Sequence, residues 1–175
     1  MRISSPACPG FFLCLEETMA LETTQTGAIA PAFALLPAKM AGKRATVMLL
    51  AIGLQESRLQ FRRQIGGPAR GLFQFEQGGG VRGVLGHASS RPYALEVCSA
   101  RQVEPTSQAV YEALERDDVL AAAFARLLLW TDPKPLPGLG QVQEAWELYD
   151  RVWRPGKPHP QTWEAIYAQA LAAVQ

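Results

Sequence analysis

The sequence predicts a mainly α fold: a helical globule around one central apolar helix, with at most a small β-hairpin. Three observations carry this. Between Ala45 and Leu54 only Thr46 is polar; a run apolar on every side belongs in the middle of a core, and its length favours a helix over a buried strand. Val142, Trp146, Tyr149 and Trp153 mark one helical face, and Trp163, Ile166, Tyr167, Ala170 and Val174 mark a second. No period repeats along the chain, which argues against a repeat architecture.

The elements follow in order. Residues 1–40 read as an irregular N-terminal arm with one short helix at best, because Pro31 and Pro37 punctuate its apolar stretch. Its Ala/Phe/Leu pattern near residues 28–36 is expected to pack on the main domain, residues 41–175. The apolar helix ends at Gln55, Glu56 and Ser57. Residues 58–70, with Gly66, Gly67 and Pro68, read as an irregular loop or short hairpin. Residues 71–76 read as a short helical turn, and Gly78, Gly79 and Gly80 as a flexible turn. Val81, Val84 and Leu85 suit one helical turn, and Tyr93 to Cys98 another. Val110, Leu114, Leu120, Phe124, Leu127 and Leu128 fit two helices broken near Asp117 and Asp118, and Trp130 reads as core. Pro133, Pro135, Pro137 and Gly138 make a loop before the two C-terminal helices, which Pro155, Gly156, Pro158 and Pro160 separate.

At 175 residues the chain fits one domain, long enough to bury roughly 70% of its unfolded surface, so it needs no disulfide or metal to hold a core. Seventeen Lys and Arg stand against 16 Asp and Glu, a formal charge of +1. That balance lacks the cationic excess of a nucleic-acid binder. Two basic clusters, Arg62 with Arg63 and Arg151 with Arg154, read first as solvated faces and second as attraction to an anionic polymer. The three cysteines, Cys8, Cys14 and Cys98, are an odd set and make no disulfide framework; Cys8 and Cys14 are close enough to pair, though buried or incidental thiols fit better. No apolar run approaches the ~18 residues of a membrane span, and the start lacks the long apolar stretch of a secretory signal. Met19 is an alternative start.

Few residues are placed for chemistry. Glu56 closes the apolar helix, where a carboxyl whose pKa is raised by burial can hand a proton to a leaving oxygen near neutral pH; an exposed last-turn glutamate is the plain alternative. Glu76 is either a second carboxylate of the kind glycosidases use, a turn cap, or a partner of Arg70. Ser57 either supports Glu56 or faces solvent, and Gln74 either holds an amide-bearing ligand or faces solvent. Trp146, Tyr149 and Trp153 are sugar-stacking rings or a packed core stripe. His87 and His159 read as structural or surface residues, and Cys98 has no base beside it. The spacings suit no zinc site, and no Lys-Ser or Lys-Thr pair follows the triple glycine as a phosphate loop requires.

Together these residues resemble the lysozyme-like lytic transglycosylase family, on its soluble-lytic-transglycosylase and goose-type-lysozyme side. AIGLQES, residues 51–57, resembles the family's apolar helix ending in Glu-Ser, and ARGLFQFE, residues 69–76, its Gly-Leu-Phe-Gln element. AWELYDRVWRPGKP, residues 145–158, stands where the family carries Ala-Tyr-Asn; Trp146 or Tyr149 takes the tyrosine's place, and no Asn follows either. The resemblance implies a lysozyme-like α+β fold. It implies Glu56 as general acid and then base, and a substrate-binding set of Ser57, Gly71, Phe73, Gln74, Trp146 and Tyr149, with no metal or organic cofactor. The expected partner is the glycan strand of peptidoglycan, with no nucleic acid and no stable membrane insertion. The Trp-Arg-Pro-Gly-Lys-Pro stretch resembles phage-encoded members, which implies action at the cell wall or periplasm from a virion and contact with phage structural proteins. The expected activity is lytic transglycosylation leaving a 1,6-anhydro end. A hydrolytic muramidase using Glu56 and Glu76 is the alternative, and a non-enzymatic glycan-binding or structural part of a particle is a third.

Overall fold

A computed structural model describes residues 9–175, with side chains from residue 16 onward. The Cys8–Cys14 pairing lies outside the described residues. The chain is mainly helical, as expected, and among the described residues no strands join into a sheet. No described helix is long and apolar enough to cross a membrane.

The N-terminal arm departs from expectation. It is helical, not irregular: α1 (Pro9–Thr24) runs through a π-helical turn (Gln25–Ile29) into α2 (Ala30–Ala34). Pro31 was expected to break this segment, since it has no N–H to give and its ring crowds the carbonyl one turn back. The wider turn just ahead of it, closed by Ala30 N–H on Gln25 O, lets the helix pass the proline. Ala28, Ile29 and Ala32 are buried, on the side where this segment meets the later helix α7 (Asp118–Trp130), so the expected packing of residues 28–36 is observed.

The central helix is α3 (Lys43–Ser57), and every residue from Ala45 to Leu54 is buried. Each large aliphatic side chain on it contributes about 1.5–3 kcal/mol by leaving water. The helix stops abruptly. Arg58 and Leu59 both take left-handed backbone, φ 53° and 56°, and their N–H groups close on Leu54 O and Gly53 O at 3.0 and 3.2 Å. These bonds satisfy carbonyls that a helix end would otherwise leave open. Leu59 folds back against Gly53, where a Cβ would lie 2.2 Å from its Cδ2. The last turn of α3, with Glu56 in it, is thereby fixed in place.

Residues 71–74 form a turn closed by Arg70 pairing with Phe75, not the helical turn expected over 71–76. Gly78, Gly79 and Gly80, expected as a turn, belong to a π-helical turn (Gln77–Val81) that leads into α4 (Arg82–Gly86). Next come α5 (Arg91–Ala100) and α6 (Ser107–Ala113), the latter capped by Thr106. A second fully enclosed helix, α7 (Asp118–Trp130), is buried from Leu120 to Leu129 and capped by Asp117. The two helices expected to break near Asp117 are thus α6 and α7. Trp130, expected in the core, sits at its edge: it packs against the core but is only partly buried, with Lys39 and Arg126 on its ring at 5.2 and 5.3 Å. Finally α8 (Val142–Trp153) and α9 (Pro160–Val174) pack on one another, and α9 lies along α3.

Candidate active site

Glu56 sits in the last turn of α3, partly exposed to a cleft of about 1330 Å³. The apolar helix behind it removes water from its carboxyl, and this desolvation raises its pKa to about 7, against a smaller lowering by one hydrogen bond. That bond comes from Tyr149, whose hydroxyl donates to Oε1 at 2.6 Å. The group therefore changes protonation around neutral pH, the range a general acid needs.

Tyr149 reaches Glu56 because α8 turns its aromatic face inward. Its ring lies flat on Trp163 of α9, 5.1 Å between centroids and 11° between planes. Trp146 and Trp153 flank it at 5.3 and 6.2 Å. Burial first, and the Glu56 charge second, push the phenol's pKa up, so it remains a hydrogen-bond donor throughout the range in which Glu56 titrates.

The Gly-Leu-Phe-Gln element lies beside this pair, but most of it holds the backbone. Gly71 has φ +74°, and a Cβ there would come within 2.7 Å of Leu114 O, so glycine is required twice over. Phe73 is fully buried and meets no ligand space; its carbonyl accepts the Trp153 indole N–H at 3.1 Å. Ser57 does not bond Glu56. Its hydroxyl is buried and donates to Leu72 O at 2.6 Å, clamping the turn to the end of α3. Gln74 lines the cleft, yet its amide N–H₂ is spent on Gly71 O and Phe61 O at 2.9 and 3.3 Å. Of the expected substrate-binding set, Ser57, Gly71 and Phe73 are therefore corrected to supports of the Glu56 end of α3.

Trp146 is also displaced from its expected place. It lines a separate cavity of about 410 Å³ with Trp163, Pro160 and Glu164, on the same aromatic face of α8 as Tyr149 and one turn before it. Glu76 is exposed and lines the Glu56 cleft. It does not pair with Arg70, which pairs instead with Glu115 at 3.5 Å and lies over Tyr111.

Other cleft residues were not picked out as site residues from the sequence. His87 and His159 both line it, as do Thr131 and Asp132; Trp153, one of the rings expected to stack on a sugar or on the core, lines it as well. Asp132 is held below its ordinary pKa despite burial, chiefly by Arg151, whose Nε donates to it at 2.7 Å. The basic clusters are largely engaged: Arg62 grips Asp118 with two bonds and Arg63 meets Glu115. Cys98 is buried, and burial pushes its thiol up to about 11, which leaves it a poor nucleophile. Among the described residues, no group of three His, Cys, Asp or Glu side chains is placed to hold a metal.

No protein-family model, curated protein or solved structure matches this chain.

Proposed function

We propose that this chain cleaves the glycan strand of peptidoglycan as a lytic transglycosylase with a lysozyme-like catalytic domain. The observation that carries the reading is Glu56: a carboxyl at the end of a buried helix, raised to about 7, held by Tyr149 and open to a large cleft. Protonated, Glu56 gives its proton to the oxygen linking N-acetylmuramic acid to N-acetylglucosamine, and the C1–O bond breaks as that alcohol leaves. The resulting carboxylate takes the proton of the muramoyl 6-hydroxyl, whose oxygen bonds to C1. The products are a free 4-hydroxyl and a 1,6-anhydro end, no water is consumed, and Glu56 ends protonated as it began.

A hydrolytic reading is favoured by one observation: Glu76 lines the same cleft and is exposed, as a carboxylate positioning a water would be. The test is mass spectrometry of the products from purified peptidoglycan, wild type against Glu56→Gln. Anhydro ends that vanish in the variant support the transglycosylase. Products one water heavier, also lost in the variant, establish the hydrolase. A folded E56Q protein that still cleaves the strand removes both.

A further inference from the structure

The helical segment from Gln77 to Gly86 carries five glycines, at 78, 79, 80, 83 and 86. Glycine is, after proline, the costliest residue in a helix, so each position calls for a reason. None of the five has a positive φ, so the backbone does not demand glycine. Gly80 has a packing reason, since a Cβ there would lie 2.6 Å from the Phe75 ring. Among the described residues Gly78 and Gly83 have none, with nothing within 4 Å of a Cβ, and at Gly79 a Cβ would make only an ordinary contact of 3.6 Å. These three unexplained glycines are exposed and line the Glu56 cleft. Gly86 also has open space around it, and it does not line the cleft.

A second observation comes from the end of the same segment. Gly79, Gly83 and His87 are spaced four apart, and all three line the cleft. His87 Nδ1 accepts the Ser89 backbone N–H at 3.2 Å, with the Ser89 hydroxyl at 2.8 Å. A backbone N–H cannot donate to a protonated nitrogen, so in this arrangement the ring proton sits on Nε2. The cleft is thus bordered by bare backbone that ends in one oriented donor.

We infer that Gly78, Gly79, Gly83 and His87 form the contact wall for the glycan strand: the sugar rings lie directly on the glycine backbone, and His87 Nε2–H donates to a ring substituent. The inference rests on the glycan-cleaving reading of Glu56. Side chains at the three glycines would favour the helix but occupy the space the strand takes, so stability and binding respond in opposite directions. That opposition separates a ligand wall from glycines kept for the fold.

The experiment measures calorimetric binding of a purified tetrasaccharide of alternating N-acetylglucosamine and N-acetylmuramic acid, with E56Q as the non-cleaving parent. Thermal melting is followed in parallel. Adding G79A and G83A together is expected to weaken binding about fivefold or more, with Tm unchanged or raised. H87A is expected to weaken it as well. G78A supplies a single-site version should the double variant fold poorly, and G86A is expected to raise Tm with binding unchanged. Loss of less than about fivefold in the folded glycine variants overturns the wall. If the E56Q parent itself binds no tetrasaccharide, the reading of the site fails, and the wall falls with it.

Discussion

Glu56 and Tyr149 are opposed influences on one proton. Desolvation raises the carboxyl to about 7, and the tyrosine hydrogen bond pulls against it. Tyr149→Phe removes the lowering contribution and leaves the burial, so Glu56 should move above 7. The alkaline limb of the pH–rate profile should shift upward while the peak rate falls; a limb that stays in place would mean that Tyr149 does not tune the acid. The same shift bears on stability. The unfolded chain releases this proton near 4.5, whereas the folded protein keeps it to about 7. Between those values the unfolded state binds fewer protons, so stability falls as pH rises from about 4.5 to about 7 and levels off above. The cost is on the order of 3 kcal/mol. Denaturant titrations of Glu56→Gln should lack this slope, making the variant more stable than wild type at pH 8 by a margin that narrows toward pH 4.5.

At the scale of elements, the site depends on where helices stop. The left-handed pair Arg58–Leu59 ends α3 just after Ser57, which keeps Glu56 at the boundary between core and cleft. Ser57 and Trp153 then clamp the Leu72 and Phe73 carbonyls, tying the turn to both α3 and α8. Helix starts matter in the same way. Asp117 accepts the Leu120 N–H at 2.9 Å, and Asp117→Ala should destabilise the protein by ~1 kcal/mol through the lost cap. At this chain length that is a fall in melting temperature of roughly 2–4 °C. Its exposed contact with Arg101 should add little. An unchanged melting curve would show that α7 starts without its cap.

Across the whole molecule, α3 and α7 form two enclosed axes that the other helices cover. Leu50, fully buried on α3, tests that core: Leu50→Ala should cost about 2–5 kcal/mol, read as a lower denaturant midpoint. Because α3 carries Glu56 and packs against α9, the loss should also depress cleavage in the folded fraction. α9 in turn supplies Trp163 beneath Tyr149. The acid on α3 thus meets its hydrogen-bond donor and the donor's stacking partner from the consecutive helices α8 and α9, far from it in sequence. Arg126 is a cost within the same core: its guanidinium is buried, pushed down to about 10, and tied to Met40 O, and among the described residues Nη1 has no hydrogen-bond partner.

The amino-acid sequence alone places the apolar helix of residues 45–54, the aromatic face of α8, the breaks near Asp117 and residues 133–138, and Glu56 at the helix end. Each follows from periodicity or from a local stop signal, and neither needs a distant partner. It misread the arm, because a π-helical turn carries the chain past Pro31, and it misread the triple glycine, because helical backbone there persists against residue propensity. Only the tertiary structure decided which members of a motif face the cleft. Ser57, Gly71 and Phe73 became supports, and Trp146 lines another cavity, because their surroundings are set by Leu72, Leu114, Trp153 and Trp163 from elsewhere in the chain. His87, His159 and Asp132 reached the cleft for the same reason: their sequence neighbours carry no trace of Glu56, and only the packing of α7 and α9 on α3, and of α8 on α7 and α9, brings them to it.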